Sequence, residues 1–288
     1  MTAVIGQVWC VFKMRIAVAI MLSALAGLAV MPGPALSAWQ VAVLALSVLL
    51  SAASAGAFNQ FIERDLDRRM ARTAGRPFAS GAWRAGPLWL SVILALLAAA
   101  VAAAAWVLNG WVALHVFLGA FVYGVVYTVW LKRRTWLNIV LGGLAGSFAV
   151  LAGAAAVDPA LAPAPIILAV VLFLWTPPHF WSLATVLRAD YARAGVPMLP
   201  VVIGDGPAAW VILAHAVALV ALSLMPVAFG MGWIYFVAAA LGGAWFVHRS
   251  ICLVRAPDAR TAMTNFFASL IQLGALLSGA IADRLILG

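Results

Sequence analysis

The chain has 288 residues, of which 67% are hydrophobic and 9% charged, and its mean hydropathy is +1.12. Soluble domains carry about 25% charged residues, so a chain this apolar cannot cover itself with polar surface and its solvent is lipid. A net charge of +9 would suit a nucleic-acid binder, but the basic residues are dealt out in short loops between apolar runs, which excludes nucleic acid as a partner.

Nine apolar runs approach or exceed the roughly 20 residues that a membrane-crossing helix needs. They are 16–31, 39–58, 87–107, 111–131, 136–157, 163–187, 207–229, 231–248 and 264–283. They leave no room for a soluble domain, so residues 1–288 are expected to form one all-α, polytopic membrane domain of nine transmembrane helices. Lys13-Met14-Arg15, the first run and the small residues of Pro34-Ala35-Leu36-Ser37-Ala38 mimic a cleavable signal. Retaining the first helix, however, places 16 of the 17 basic residues on one side of the membrane and only Arg284 on the other. The excess of Lys and Arg in cytoplasmic loops then predicts a cytoplasmic N-terminus and an external C-terminus, in the cell's inner membrane. Six of the eight acids share the basic side, so function is expected at the cytoplasmic mouth. Cys10 and Cys252 are too few for a disulfide framework and are expected as free thiols on the reducing side.

The first run of chemical interest is Asn59-Gln60-Phe61-Ile62-Glu63-Arg64-Asp65-Leu66-Asp67-Arg68-Arg69. If the preceding helix continues, Asn59, Glu63 and Asp67 fall at i, i+4 and i+8 on one stripe. Hard oxygen ligands on one face suit Mg²⁺, which keeps waters and bridges to substrate phosphates; a solvated, charge-balanced helix end is the plainer alternative. Arg72 and Arg76, one turn further, suit bidentate contact with phosphate oxygens, although topology anchoring also accounts for them. Lys132-Arg133-Arg134 reads first as such an anchor and second as a partner for a diphosphate or propionate. The small residues of Gly142-Gly143-Leu144-Ala145-Gly146-Ser147 predict close helix contact in lipid.

Trp175-Thr176-Pro177-Pro178-His179-Phe180-Trp181 carries two prolines that should break or kink the sixth span. His179 beside that break is a candidate iron ligand, proton acceptor or hydrogen-bond partner of a freed carbonyl. Asp190-Tyr191-Ala192-Arg193 lies in the second large polar loop, 187–206, which roughly echoes the loop 59–86. Asp190 there is a candidate for completing a metal site.

Asn59-x-x-x-Glu63-x-x-x-Asp67 with Arg72-Thr73-x-x-Arg76-Pro77 resembles the first motif of the intramembrane aromatic prenyltransferases. Three further segments resemble, more narrowly, the protohaem IX farnesyltransferase (haem O synthase) family. They are Tyr127-Thr128-x-x-Leu131-Lys132-Arg133-Arg134-Thr135 with Asn138-Ile139-Val140, Pro177-Pro178-His179-Phe180, and Asp190-Tyr191-Ala192-Arg193-Ala194-Gly195-Val196-Pro197-Met198. The resemblance implies nine helices around a central cavity open to the cytoplasm and to lipid. It implies Mg²⁺-dependent transfer of a farnesyl group from farnesyl diphosphate to a vinyl group of haem B, which is substrate and not cofactor. The product, haem O, serves terminal oxidase biogenesis, so a haem A synthase or oxidase assembly machinery is an implied partner alongside the bilayer.

Residue by residue, the resemblance implies that Asn59, Glu63 and Asp67 hold the metal, with Asp190 as a further ligand. Together with Arg72, Arg76 and His179 the first three would be catalytic, and Arg68, Lys132, Arg133, Arg134, Asp190, Tyr191 and Arg193 would bind substrate. Two departures stand out: Glu63 replaces the more usual aspartate, and Ala189 and Ala194 flank Asp190 and Tyr191 where the wider superfamily has further acids. The alternatives are a prenyltransferase acting on a quinone precursor or chlorophyll-like ring, or a noncatalytic transporter or assembly factor. A transporter would place polar groups at the midplane and on both sides.

Overall fold

A computed structural model describes residues 2–288, with side chains from Val4 onward. The helices are α1 (Thr2–Val11), α2 (Met14–Val30), α3 (Ala38–Ile62), α4 (Arg64–Asp67), α5 (Pro77–Ser80), α6 (Pro87–Val107) and α7 (Gly110–Phe121). A π-helical segment, Val122–Leu131, continues α7. Then come α8 (Asn138–Gly142), α9 (Leu144–Val157), α10 (Pro163–Val186), α11 (Arg188–Arg193), α12 (Leu199–Ile203), α13 (Asp205–Leu224), α14 (Trp233–Arg255) and α15 (Ala259–Leu287). No strand occurs among the described residues.

Eight helical runs are long and apolar enough to cross a membrane, and α1 with α2 makes a ninth, bent by 50° at their junction. Each coincides with a predicted run to within a few residues, save that α14 and α15 extend further toward the polar end. The chain is therefore a multi-pass, all-helical membrane protein. α1, which precedes the first apolar run and was not expected, is an extra helix at the polar end that packs on α3 and α5.

Lipid gives apolar faces little reason to leave it, so helices in a bilayer are held by close van der Waals contact and polar bonds. The α2–α9 crossing shows this most sharply. A Cβ added at Gly27 would lie 2.1 Å from the Val150 carbonyl oxygen, and one at Gly153 would lie 1.8 Å from that of Ala24. Leu44, Val48, Val112 and Val116 fill the core on this side of the bundle. On the other side Leu168, Leu172, Leu219, Tyr235, Phe246 and Leu276 pack together.

Helix ends are secured by side chains. Ser37 and Gln40 form a capping box at α3, and Asp258 and Thr261 form one at α15. Buried Asp283, near the far end of α15, reaches across to accept the Gly232 and Tyr235 N–H groups at 2.7 and 3.1 Å, closing the start of α14.

One expectation is corrected. Pro177 and Pro178 do not break the sixth span: α10 runs unbroken through both. Proline removes an N–H and crowds the carbonyl one turn back, yet neighbours can absorb that loss inside a packed bundle. The carbonyls freed are those of Phe173 and Leu174; flanking hydroxyls add bonds elsewhere in the stretch, Ser182 to the Pro178 carbonyl at 2.6 Å and Thr176 to that of Leu172 at 3.1 Å.

Candidate active site

The predicted stripe exists, but its backbone differs from expectation. α3 stops at Ile62 and α4 begins at Arg64, with Glu63 at the joint in a sparsely used conformation, φ −88° and ψ 8°. The i→i−4 bonds nevertheless continue across it, Glu63 N–H to Asn59 at 2.9 Å and Asp67 N–H to Glu63 at 2.8 Å. Helical spacing thus survives the break, and Asn59, Glu63 and Asp67 are all buried, each at most 2% exposed.

Buried carboxylates demand partners, and each finds a cation. Arg76 donates to both oxygens of Asp67, at 3.0 and 2.9 Å. Lys132 donates to Glu63 Oε2 at 2.5 Å, and that oxygen also accepts from Asn59 Nδ2 at 2.9 Å. Glu63 Oε1 is buried and has no partner. Lys13, which the sequence analysis treated only as a topology anchor, donates to Asn59 Oδ1 at 2.5 Å and to the Tyr123 hydroxyl at 2.8 Å.

The facing wall is the π-helical segment. Thr128 accepts from Asn59 Nδ2 at 2.9 Å and donates to the Tyr123 carbonyl at 2.8 Å. Tyr123 and Tyr127 stack with centroids 5.5 Å apart, and Lys132 lies over the Tyr127 ring at 5.7 Å. π-Helical turns are uncommon and concentrate at functional sites. Here the widened turn puts two tyrosines, Thr128 and Lys132 against one acidic stripe.

The two large polar loops meet through an apolar cluster: Leu66 and Met70 of the first pack with Tyr191, Val196, Met198 and Leu199 of the second. Burial pushes the Tyr191 phenol above its ordinary value, while the Arg72 guanidinium, in hydrogen-bond reach, pulls the other way. Asp190 is paired with Arg193 in α11. No three His, Cys, Asp or Glu side chains gather to hold a metal among the described residues, so Asp190 does not join Glu63 and Asp67 as a preformed cage.

The other predicted residues lie outside the cluster. Arg68 is bound to Asp65 and the Ala79 carbonyl, and its side chain is 55% exposed. Arg133 and Arg134 are exposed. Buried His179 sits between α10 and α15, its ring stacked on Trp175 at 4.3 Å and Phe266 at 4.4 Å. Its Nδ1 shares a 2.7 Å hydrogen bond with the Ser269 hydroxyl.

The donor set fits a hard divalent cation. It consists of an amide oxygen and two carboxylates, and every oxygen among them either faces a cation or stands bare, as Glu63 Oε1 does. Glu63 Oε1 is the one oxygen of the set left bare, and a hard cation entering here would displace ammonium or guanidinium partners from the others.

Comparison with known proteins agrees in sequence and in fold. A protoheme IX farnesyltransferase 2 from Paramagnetospirillum magneticum is 59% identical over 288 residues, all of both chains. Protoheme IX farnesyltransferase 1 from the same organism is 47% identical over 94% of this chain and 96% of its own. A protoheme IX farnesyltransferase from Deinococcus radiodurans is 40% identical over 86% and 82%. Among solved structures, an apo UbiA homolog from Aeropyrum pernix K1 superposes with a TM-score of 0.74 at 23% identity, covering 94% of this chain and 98% of its own. A UbiA homolog from Archaeoglobus fulgidus bound to DMAPP and Mg²⁺ gives 0.70 at 16%, covering 96% and 99%. These likenesses establish a shared fold, and the model of the UbiA prenyltransferase family matches residues 20–271; the chain belongs to that family.

Proposed function

We propose that this chain transfers a farnesyl group from farnesyl diphosphate to a vinyl group of haem B, giving haem O. The observation that carries the reading is the buried Asn59–Glu63–Asp67 stripe, with Glu63 Oε1 unpartnered and Lys132 and Arg76 on the neighbouring oxygens. The names of the relatives supply the acceptor and the length of the donor.

Asn59, Glu63 and Asp67 would hold Mg²⁺, which would supply positive charge to stabilise the departing diphosphate. Arg76 and Lys132 turn from the carboxylates to the diphosphate oxygens, and Arg72 closes on them from the rim. Tyr123 and Tyr127 turn aromatic faces toward the allylic carbon and stabilise its developing positive charge. Apolar walls exclude water until the new carbon–carbon bond forms.

His179 contacts the haem. Its bond to Ser269 fixes the ring through Nδ1, which supports Nε2 as the atom that would serve iron or take a proton released during addition to the vinyl. Asp190, Tyr191 and Arg193 sit on the second loop, and Arg68, Arg133 and Arg134 are the exposed cations that suit anionic propionates or phosphates. The N-terminus is cytoplasmic, the C-terminus external and the membrane the inner one, where a haem A synthase or oxidase assembly would receive the product.

Purified protein given haem B, farnesyl diphosphate and Mg²⁺ should yield a haem heavier by one farnesyl group and one hydroxyl group, the hydroxyl coming from water that gives up its other proton. The gain should vanish with a chelator. Unchanged haem mass at saturating metal and donor would refute the reading.

A further inference from the structure

Lys13 stands apart from every other side chain in the bundle. It is the only non-glycine residue with positive φ among those described, at φ 47° and ψ 46°. Left-handed backbone is strained for a residue with a Cβ, and such strain persists where the surroundings impose it, often at functional sites. Lys13 forms the corner between α1 and α2, where the span bends by 50°. Glycine would make this turn without strain, so the corner keeps lysine against its backbone preference.

The side chain has a use that accounts for this. The corner aims the ammonium inward, to the Asn59 amide oxygen at 2.5 Å and the Tyr123 hydroxyl at 2.8 Å. α3 gives way for it: a Cβ added at Gly56 would lie 3.2 Å from Lys13 Cβ and 3.3 Å from the Phe12 carbonyl oxygen. Neither partner carries a formal charge. The two buried carboxylates are already matched, Asp67 by Arg76 and Glu63 by Lys132. Lys13 is therefore a cation directed into the site with no anion of its own, held by an oxygen that the metal also needs.

We propose that Lys13 binds the diphosphate of the prenyl donor. In the substrate-free protein its ammonium occupies the Asn59 oxygen. On donor binding Lys13 passes from the Asn59 oxygen, which would then be free to serve a metal ion, to a phosphate oxygen, completing a ring of cations with Arg72, Arg76 and Lys132. The strained corner makes the transfer short, because the lysine is held at the site by backbone and not by an ion pair that must first be broken. The proposal rests on the reading of this cluster as a prenyl-diphosphate site.

The test compares Lys13→Met, which removes the charge at similar length, with Lys13→Gly, which removes it and relaxes the backbone. Binding of inorganic pyrophosphate with Mg²⁺ is measured by calorimetry on purified protein, beside the KM values for farnesyl diphosphate and haem. Both variants should weaken pyrophosphate binding and raise the donor KM roughly tenfold or more, as for one lost charge-assisted hydrogen bond. The haem KM should stay unchanged, and Lys13→Gly should melt no lower than the wild type. A corner that is merely structural would leave Lys13→Gly with wild-type pyrophosphate affinity, which would overturn the proposal, as would equal increases in both KM values. Failure of the wild-type protein itself to bind pyrophosphate would instead remove the functional reading beneath it.

Discussion

Replacing Glu63 by glutamine separates a metal ligand from a structural ion pair. The carboxylate is 2% exposed and its partner Lys132 13% exposed. Deleting one member of such a pair outright costs about 3–5 kcal/mol, because the other charge is stranded. Glutamine keeps an oxygen that Lys132 can use, so the loss shrinks to the difference between charged and neutral hydrogen bonds, roughly 1–2 kcal/mol. At about 2–4 °C per kcal/mol, the apparent Tm should fall by several degrees. On the proposed role of this carboxylate as a metal ligand, turnover should fall far more, about 10²-fold or beyond. The double variant Glu63→Gln/Lys132→Met replaces both charges and should regain most of the stability, because removing a buried pair together is often close to neutral. It should regain no activity. Thermal unfolding in detergent and farnesyl transfer at saturating Mg²⁺ are measured on the same samples. Recovery of turnover in step with stability would show that the pair only holds α3 to the π-helical segment.

His179→Ala should shift the absorption spectrum of bound haem if the imidazole ligates iron, or leave binding intact with slow turnover if it handles a proton; normal results in both assays would remove it from the site. Reporter fusions after Ala35 and after Arg69 should report opposite sides of the membrane, and the same side for both would refute the orientation. Asp283→Ala forfeits two hydrogen bonds at the start of α14, roughly 2 kcal/mol or more; the protein should melt lower while turnover per folded molecule holds, and a selective loss of turnover would contradict a capping role. The Thr261 N–H holds the Asp258 carboxyl below its ordinary 3.8, so its cap is fully present above about pH 4 and is lost as pH falls through the lowered folded value. Protection of the amides over residues 259–263, taken relative to their intrinsic exchange at each pH, should fall only in that acid range, and protection that stays constant there would rule the cap out.

The spans were legible because bilayer thickness fixes their length and lipid forbids polar interruptions. The Asn59–Glu63–Asp67 stripe was legible in spacing though not in backbone, since the break at Glu63 leaves the hydrogen-bond ladder intact. The expected break at Pro177 and Pro178 did not occur, since each proline removes a single rung of the ladder and α10 continues past both. Lys13, Tyr123 and Thr128 were not legible as site residues. In the sequence a lysine before a span is a topology signal and a tyrosine within one is ordinary bulk. Only the left-handed corner and the π-helical turn, both set by tertiary packing, bring them to the stripe. Arg133 and Arg134, equal to Lys132 as letters, are separated from it by the direction each takes from the end of that segment.

Small metal-dependent domains commonly fold only when the ion is present, since their ligands repel one another without it. Here Arg76, Lys132 and Lys13 already occupy the acidic stripe. Under the proposed role, an ion would enter a stripe whose charges are already matched, so its loading would exchange one set of cations for another and would not be a condition of folding.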